Sequence, residues 1–265
     1  MAPCFTTDSI MRIYLLPHQD DEFAMLQSMV DQLDRDIALI FMTNGWQPGG
    51  PAPEVRNAES MRVLASMGIP AEKAYFLGTH HDFGDGFMPD NIKATWEALL
   101  THVDLLLRDS GGSLTSVYMP AWEGGHQDHD VTHVLGVCLA IRHDCLDSSR
   151  QISLYHGCRM PWKFYRVLQP LAENGAVEPV RIPWANRLKI LALFRHYRSQ
   201  WKSIIGLYPF VLLRMLIRGE ECYQRVSYDR LQQSPHTGRL FYESRGFANE
   251  NVVRESISRF LAGLR

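Results

Sequence analysis

Residues 11–22 read MRIYLLPHQDDE, and this stretch decides the fold class. A short apolar run over residues 12–16 passes through Pro17 directly into the polar sequence HQDDE at 18–22. Such a run, bounded by a turn residue, is typical of a buried strand. Because ligand sites in open parallel sheets lie beyond the carboxyl ends of the strands, imidazole and carboxylate groups at this point predict a cleft.

The chain then repeats the pattern of a short apolar run followed by a longer amphipathic one. Strands are predicted over residues 12–16, 37–42, 74–77, 116–119 and 152–156, and helices over 22–33, 54–67, 92–108 and 130–141. Strands that alternate with helices are typical of βαβ units. We therefore predict an α/β fold with a Rossmann-like, mostly parallel sheet flanked by helices.

The alternation is lost beyond about residue 160, where helices and loops are predicted, with a final helix over 251–264. No linker is evident. We expect a single domain over residues 1–265, with a core of about 11–160 and a helical C-terminal extension of about 161–265. A chain of 265 residues is long enough to bury one substantial core.

Composition excludes several classes of protein. With 46% hydrophobic and 21% charged residues the chain is too apolar to be disordered, and its net charge of −2 is not that of a nucleic-acid-binding protein. The N-terminus lacks the regions of a secretory signal, and no apolar run reaches the ~18 residues of a transmembrane helix. The five cysteines are scattered, as reduced thiols are. We expect a cytoplasmic protein, without a GxSxG, GxGxxG or Walker motif.

A second polar cluster follows the predicted strand over residues 116–119. It reads PAWEGGHQDHD over residues 120–130. A lone His or Asp at a strand end is usually a helix cap or a solvated loop residue. Two dense clusters at equivalent positions of a parallel sheet instead favour one shared site, because the topology brings strand ends together.

The residue types in the two clusters suit a metal centre. A catalytic zinc takes three protein ligands and keeps a fourth position open, and His18, Asp21 and His129 offer such a set. His126 lies three residues before His129, so both can face the cleft. His126 could act as an acid or stabilise an oxyanion, with Asp128 orienting it.

Asp20 and Asp21 are adjacent carboxylates that can divide the catalytic work. One binds the metal while the other receives the proton of a metal-bound water. Both can also cap the following helix, and that role is compatible with catalysis.

These clusters resemble the motifs of the PIG-L/LmbE family of zinc-dependent N-deacetylases, His-Pro-Asp-Asp-Glu after the first strand and His-Pro-Asp-His. Further similarities keep their order over about residues 11–205: TNG at 43–45, RNAE at 56–59, MGI at 67–69, FLG at 76–78, DG at 85–86 and YRSQ at 197–200. The proline of both motifs is replaced here by Gln19 and Gln127. Because that proline stiffens the backbone and binds no metal, the chemistry is expected to survive.

The resemblance implies a role for each matched residue of the metal centre. His18, Asp21 and His129 would bind zinc, and Asp20 would be the general base that activates the metal-bound water. A His/Asp/His ligand set also admits iron(II) or cobalt.

The resemblance also implies the remaining catalytic and substrate contacts. His126 would stabilise the tetrahedral oxyanion or protonate the leaving amine, with Asp128 supporting it. Asn44 would line the cleft, and Arg56 and Asp85 match positions that contact sugar hydroxyls. Asp82 is a competing candidate in the same loop.

Residues 181–218 contain eight Lys or Arg residues, six aromatic residues and no Asp or Glu. One hypothesis is an interfacial surface that makes peripheral contact with an anionic membrane. The other is a pair of helices packed on the sheet, whose cations pair with the acidic part of the chain. That acidic part is residues 17–130, which carry 18 acidic and six basic residues.

The expected function is removal of the N-acetyl group from an N-acetylated amino sugar, carried on a lipid, a diphosphate carrier or a growing glycan. A zinc amidohydrolase acting on a non-sugar amide is the nearest alternative. A non-catalytic, metal-stabilised binding module is a third hypothesis, against which the presence of Asp20 and His126 argues.

Overall fold

The computed structural model describes residues 10–161 and 163–264. Seven strands form the main sheet in the order β3-β2-β1-β4-β5-β9-β8, and β6 and β7 form a separate two-stranded sheet. The bounds of the strands are β1 (Ile10–Leu16), β2 (Asp36–Phe41), β3 (Ala74–Phe76), β4 (Ser113–Pro120), β5 (Arg150–Ile152), β6 (Tyr155–His156), β7 (Arg166–Val167), β8 (Val177–Arg181) and β9 (Glu220–Arg225). The strands β1 to β5 pair in parallel, whereas β9 and β8 are antiparallel.

Helices cover both faces of this sheet. Their bounds are α1 (Leu26–Val30), α2 (Pro53–Met67), α3 (Leu77–His81), α4 (Met88–Ser110), α5 (Gln127–Arg142), α6 (Trp184–Leu193), α7 (Trp201–Ile217), α8 (Phe241–Arg245) and α9 (Glu250–Gly263). Two of the longest helices stop at glycines with positive φ, α2 at Gly68 (φ 83°) and α4 at Gly111 (φ 63°). A left-handed residue ends a helix at little cost when it is glycine.

The central strand β1 divides its side chains between two hydrophobic cores. Ile13 and Leu15 pack on the face covered by α4, α5 and α9. Tyr14 and Leu16 pack on the opposite face, beneath α1, α2, α6 and α7. Successive side chains of a strand point to opposite faces, so a strand covered on both sides is apolar throughout. The predicted Rossmann-like, mostly parallel sheet flanked by helices is confirmed.

Two predicted elements are shorter than expected. Residues 22–33 form a 3₁₀ turn (Asp21–Ala24) and the single-turn α1 rather than one helix. The predicted strand over 152–156 divides into β5 and β6. It divides because the N–H groups of Leu154 and Tyr155 donate to the Glu123 carboxylate, at 2.8 and 3.0 Å, instead of continuing the sheet.

The C-terminal extension is more than helical, since β8 and β9 complete the main sheet beside β5. The sequences VEPVR and EECYQR lack the apolar alternation that predicts a strand. In β9 a buried position is occupied by Glu221 rather than by an apolar residue. Its carboxylate accepts the N–H groups of Gln27 at 2.7 Å and Ser28 at 3.0 Å. A polar strand residue with such partners can be buried without an unsatisfied charge.

None of the described helices is long and apolar enough to cross a membrane. The cysteines of the described residues are unpaired and buried: Cys138, Cys145, Cys158 and Cys222. Cys4 and the N-terminal segment on which the prediction about a secretory signal rests lie outside the described residues.

Candidate metal and catalytic site

Three segments meet at one edge of the main sheet. Strands β1 and β4 are parallel neighbours, so the polar sequences that follow them emerge side by side. The loop over residues 82–87, between α3 and α4, closes the third side: Asp85 contacts His18 of the first segment, and the N–H of Gly86 donates to Asp128 of the second. The two polar clusters predicted to share a site are therefore in contact.

His18, Asp21 and His129 bring three donor atoms together at nearly equal spacing. His18 Nδ1 lies 3.2 Å from Asp21 Oδ2 and 3.3 Å from His129 Nε2. His129 Nε2 in turn lies 3.3 Å from Asp21 Oδ2. All three side chains are buried, and the backbone N–H of His18 fixes Asp21 by donating to Oδ2 at 2.9 Å.

The second ring nitrogen of His18 faces two further carboxylates. Nε2 lies 3.1 Å from Asp128 Oδ2 and 3.2 Å from Asp85 Oδ1. Burial by itself lowers the pKa of His18, but Asp85, Asp128 and Asp21 outweigh it and raise this pKa well above its ordinary value. Without a metal this favours a cationic ring. In the neutral ring that a metal requires, a proton on Nε2 shared with Asp128 would leave the Nδ1 lone pair directed toward Asp21 and His129.

Asp128 is nearer to His18 than to His126, which it was expected to orient. Its carboxylate lies 3.9 Å from His126 Nδ1. It accepts the backbone N–H groups of Gly86 at 2.5 Å and Met88 at 3.1 Å. Asp128 thus joins the start of α5 to the 82–87 loop while it contacts His18.

His126 precedes α5 and caps it. Its Nδ1 accepts the backbone N–H of Asp128 at 3.3 Å, so the proton of the neutral ring is on Nε2, which lies 3.7 Å from Asp85 Oδ1. Burial, together with the nearby His18 cation, lowers the pKa of His126 to about 4. The ring is therefore a neutral hydrogen-bond donor near pH 7.

Asp20 has a left-handed backbone with φ 106°, which is rare outside glycine. Its N–H donates to Glu22 Oε2 at 2.8 Å, and its carboxylate lies 3.6 Å from the Arg56 guanidinium. Burial raises the pKa of Asp20 well above its ordinary value, although Arg56 opposes the change. A left-handed residue held in this way is a sign of functional constraint.

Arg56 joins three of the loops around the site. Its guanidinium donates to the carbonyl oxygens of Gly45 at 2.8 Å and Gln19 at 2.7 Å, and to Asp85 Oδ2 at 3.3 Å. Arg56 and Asp85 are both buried, so this ion pair is shielded from water. The Nε atom of Arg56 has no protein partner.

The other two predicted substrate residues, Asn44 and Asp82, contact each other. Asn44 donates to Asp82 Oδ1 at 2.9 Å and accepts the N–H of Trp46 at 2.8 Å, so its amide shapes the loop after β2. Asp82 is exposed and ends α3 with φ 56°. Of the two competing acidic residues, Asp85 is therefore the one inside the site.

The two glutamines that replace the family prolines bind neighbouring loops. Gln19 donates to Asn57 Oδ1 at 2.7 Å and to the Thr43 carbonyl at 3.2 Å, which joins the β1 loop to α2. Gln127 donates to the Gly86 carbonyl at 3.3 Å. Each amide oxygen is buried without a protein partner.

Sequence reasoning missed several residues that complete the walls of the site. The ring of Tyr155 lies 5.2 Å from that of His129. Asp130 accepts the N–H of Gly124 at 3.1 Å, and Glu123 holds the backbone of Tyr155. Asp130 and Glu123 lie in the second polar cluster, so their position along the chain was a usable signal, whereas Tyr155 had none.

The late sequence YRSQ binds two acidic residues of the earlier motifs. Tyr197 Oη donates to Glu22 Oε1 at 2.9 Å. Ser199 donates through its backbone N–H to Glu59 Oε1 at 2.8 Å and through its hydroxyl to Glu59 Oε2 at 2.6 Å. The extension is therefore attached to the loop that carries Asp20.

Residues 13–140 match the family model PIG-L, described as GlcNAc-PI de-N-acetylase. The chain carries a PIG-L domain. Comparison with curated protein sequences found no match.

Solved structures resemble this PIG-L domain and its extension together. A deacetylase of the teicoplanin biosynthesis pathway is 14% identical, with a TM-score of 0.58, covering 82% of this chain and 99% of its own. The A40926 pseudoaglycone deacetylase is 17% identical, with a TM-score of 0.52 and coverages of 82% and 96%. The N,N'-diacetylchitobiose deacetylase from Pyrococcus horikoshii is 18% identical, with a TM-score of 0.52 and coverages of 86% and 87%. At these identities the likeness is one of fold.

The donor atoms of the PIG-L domain fit a small divalent metal ion. A tetrahedral ion about 2.0–2.1 Å from each ligand separates the ligands by about 3.3 Å, close to the spacing among His18, Asp21 and His129. The three buried carboxylates of Asp21, Asp85 and Asp128 outnumber the two buried cations around them, Arg56 and His18. This excess of negative charge favours a cation.

Proposed function

We propose that the protein is a metal-dependent N-deacetylase that hydrolyses the acetamide of an N-acetylated amino sugar. The observation that carries the proposal is the set of three donor atoms on His18, Asp21 and His129, 3.2–3.3 Å apart, beside the half-buried acid Asp20 and the neutral donor His126. The PIG-L domain over residues 13–140, in a family described by de-N-acetylation, supports the same reaction.

His18, Asp21 and His129 would hold the metal, and zinc is the ion we propose. When bound, the ion supplies Lewis acidity that polarises an amide carbonyl and makes a water molecule more acidic. Asp128 positions His18 by accepting its Nε2 proton, the arrangement in which a carboxylate orients a ligating imidazole.

Asp20 is the proposed general base. Its raised pKa makes it a better proton acceptor than an exposed aspartate. Asp20 takes a proton from the attacking water and delivers it to the nitrogen of the amine that leaves. The hydrogen bond from its N–H to Glu22 and its proximity to Arg56 hold the carboxylate in one orientation.

His126 is the proposed oxyanion donor. Its proton is on Nε2 because Nδ1 accepts the N–H of Asp128, and its pKa of about 4 keeps the ring neutral. A neutral Nε2–H can donate to the oxygen that becomes negative as water adds to the carbonyl. This favours the oxyanion role over that of a proton donor to the amine.

Aromatic side chains at the rim favour a sugar over another amide. Trp46, Phe87 and Phe247 are exposed. The Trp46 carbonyl accepts the N–H of Asp85 at 3.1 Å, and the Phe247 ring lies 5.7 Å from that of His126. Aromatic faces pack against the apolar faces of sugar rings, while Asp85 and Arg56 offer partners for hydroxyl groups.

The test is release of acetate from N-acetylglucosamine and its alkyl glycosides, compared with N-acetyl amino acids and simple acetamides. We expect turnover of the sugars and a loss of roughly 10²–10⁴-fold in kcat for Asp20→Asn. Asp90→Asn, at an exposed position of α4, is the matched control and should retain full activity. Turnover confined to non-sugar amides would support the amidohydrolase alternative, and no turnover with metal bound would support the binding module.

A further inference from the structure

The helix α7 turns an apolar face to solvent. Among its residues only Val211 and Met215 are buried. Six large apolar side chains are between 45% and 68% exposed: Trp201, Ile205, Phe210, Leu213, Leu216 and Ile217. Ile205, Leu213 and Ile217 are separated by multiples of four residues, so they lie along one side of the helix. Lys202 is the single exposed charged residue of α7, since Arg214 is half-buried.

The neighbouring helix α6 extends this face. Trp184 and Leu188, four residues apart, are each more than half exposed. The two helices share the core beneath them, where Ile190 of α6 and Met215 of α7 are buried. We call these eight exposed side chains of α6 and α7 the apolar face. A patch of this kind on a folded protein is typical of an interaction surface.

Exposed cations accompany the apolar face. Six of the eight Lys or Arg residues of segment 181–218 are exposed: Arg181, Lys189, Arg195, Arg198, Lys202 and Arg218. The other two point inward, since Arg187 donates to the Ile182 carbonyl at 2.7 Å and Arg214 contacts Cys222 Sγ at 2.9 Å.

These cations are not neutralised by the acidic part of the chain. Within residues 10–161 and 163–264, no ion pair within 4.0 Å involves any Lys or Arg of 181–218. The hypothesis that they pair with residues 17–130 therefore lacks the contacts it requires. Their positive charge remains available to an external partner.

We infer that the apolar face of α6 and α7 docks on an anionic lipid bilayer. The apolar side chains would enter the boundary between headgroups and acyl chains, and the cations would meet lipid phosphates. Trp184 and Trp201 suit that boundary because an indole has an apolar body and a polar N–H. A second copy of the chain suits the surface poorly, since face-to-face pairing would oppose cations with cations.

A chain of aromatic contacts joins the apolar face to the candidate site. The ring of Phe210 lies 5.9 Å from Tyr165, Tyr165 lies 6.3 Å from Tyr155, and Tyr155 lies 5.2 Å from His129. Docking would therefore hold the wall of the site close to the lipid surface. The docking inference itself does not depend on the proposed reaction, because it is tested without substrate.

The experiment is flotation of the full-length protein with vesicles of phosphatidylcholine alone or with about one third phosphatidylglycerol. We expect binding to the anionic vesicles that weakens at high salt, and little binding to phosphatidylcholine. K202E/R218E should bind roughly 30-fold or more weakly, because each cation near an anionic surface contributes about 1 kcal/mol. I205S/L213S/I217S should bind at least ~10-fold more weakly because apolar burial is lost.

Matched controls use exposed positions on other helices. L105S/V252S and K93E/R142E change the same kinds of side chain on α4, α5 and α9 and should bind like the wild type. Circular dichroism and melting temperature verify folding of every variant. Brominated lipids should quench tryptophan fluorescence in the wild type, and W184F/W201F should lose most of that quenching.

Three results would overturn the inference. The first is no flotation with anionic vesicles at low salt. The second is equal binding to anionic vesicles by the wild type, K202E/R218E and I205S/L213S/I217S. The third is a dimer in light scattering that I205S/L213S/I217S converts to a monomer while vesicle binding is absent, which would assign the face to a second copy of the chain.

Discussion

Tyr197 donates a 2.9 Å hydrogen bond to Glu22, although 175 residues separate the two in the sequence. Both side chains are buried. The other carboxylate oxygen of Glu22 accepts the N–H of Asp20 at 2.8 Å. One acidic side chain thus couples the C-terminal extension to the proposed base, and this coupling can be measured.

Tyr197→Phe should destabilise the protein by about 1–3 kcal/mol, because it leaves a buried carboxylate oxygen without its donor. It should also lower kcat more than it changes KM, since Asp20 loses part of its support. Urea denaturation and acetate release measure the two effects. Tyr208→Phe is the matched control, because Tyr208 packs its ring on Phe194 at 5.2 Å in the same extension. Equal behaviour of the two variants would contradict the coupling.

Removal of metal should lower the melting temperature of the wild type by several degrees. A ligand that binds only the folded state stabilises it in proportion to the logarithm of its free concentration over Kd. Without the metal, the buried carboxylates of Asp21, Asp85 and Asp128 keep only His18 and Arg56 as positive partners among the described residues. Scanning calorimetry with a chelator, followed by added zinc, measures the change. Asp21→Asn should be insensitive to both additions, and a wild type that is also insensitive would contradict the assignment of the ligands.

Glu123 should make the protein less stable as the pH rises. Burial raises the pKa of Glu123 to about 8 in the folded protein, although hydrogen bonds from Ser153, Leu154 and Tyr155 oppose the change. Ser153 Oγ contacts both Glu123 and the Gln169 carbonyl with a single hydroxyl proton, an arrangement that a neutral Glu123 satisfies.

The direction of this pH dependence follows from the difference in the pKa of Glu123 between the unfolded and the folded protein. The unfolded chain releases the proton of Glu123 near pH 4.5, whereas the folded protein retains it until about pH 8. The free energy of unfolding should therefore fall between these values and then level off. Glu123→Gln should remove this part of the decline, by a few kcal/mol, while the exposed Glu97→Gln should not. Denaturant titrations at several pH values test this prediction. It would be contradicted if the free energy of unfolding changed with pH in the same way for Glu123→Gln and the wild type.

Gly45→Ala should weaken substrate binding as well as lower the stability of the protein. Gly45 has φ 68°, and an added Cβ would lie 2.5 Å from Gln19 Oε1 and 2.7 Å from Arg56 Cδ. Gly49→Ala is a matched control, because Gly49 has φ 75° and open space around it. Both variants should lose about 1–2 kcal/mol from the left-handed conformation. Only Gly45→Ala should also raise KM for the sugar, because the added methyl group displaces Arg56. Equal KM values for Gly45→Ala and Gly49→Ala would contradict the role of Arg56 in substrate binding.

Most of the parallel core could be predicted from the sequence. The strands before the two polar clusters are apolar because helices cover both faces of the sheet, and this produces a local signal. The extension gave no such signal. Strand β8 contains Pro179, and β9 contains the buried polar residues Glu221 and Gln224, which are bound by distant backbone groups.

Proximity within the candidate site followed from topology, but individual contacts did not. Placing clusters after neighbouring parallel strands was enough to expect His18, Asp21 and His129 together. The contact between Asp128 and His18, rather than His126, depends on the backbone of Gly86 and Met88 in a third segment. No spacing along the chain encodes that arrangement.

The sequence by itself determined the class of sheet, the chemical types of the site residues and the charge contrast between residues 17–130 and 181–218. Each of these is a local property, because periodicity, residue type and charge can be counted along the chain. Only the tertiary structure decided which carboxylate faces which imidazole, that Tyr197 and Ser199 bind Glu22 and Glu59, and that α7 exposes its apolar side chains. Hydrogen bonds and solvent exposure depend on groups far apart in sequence, so they exist only once the chain has folded.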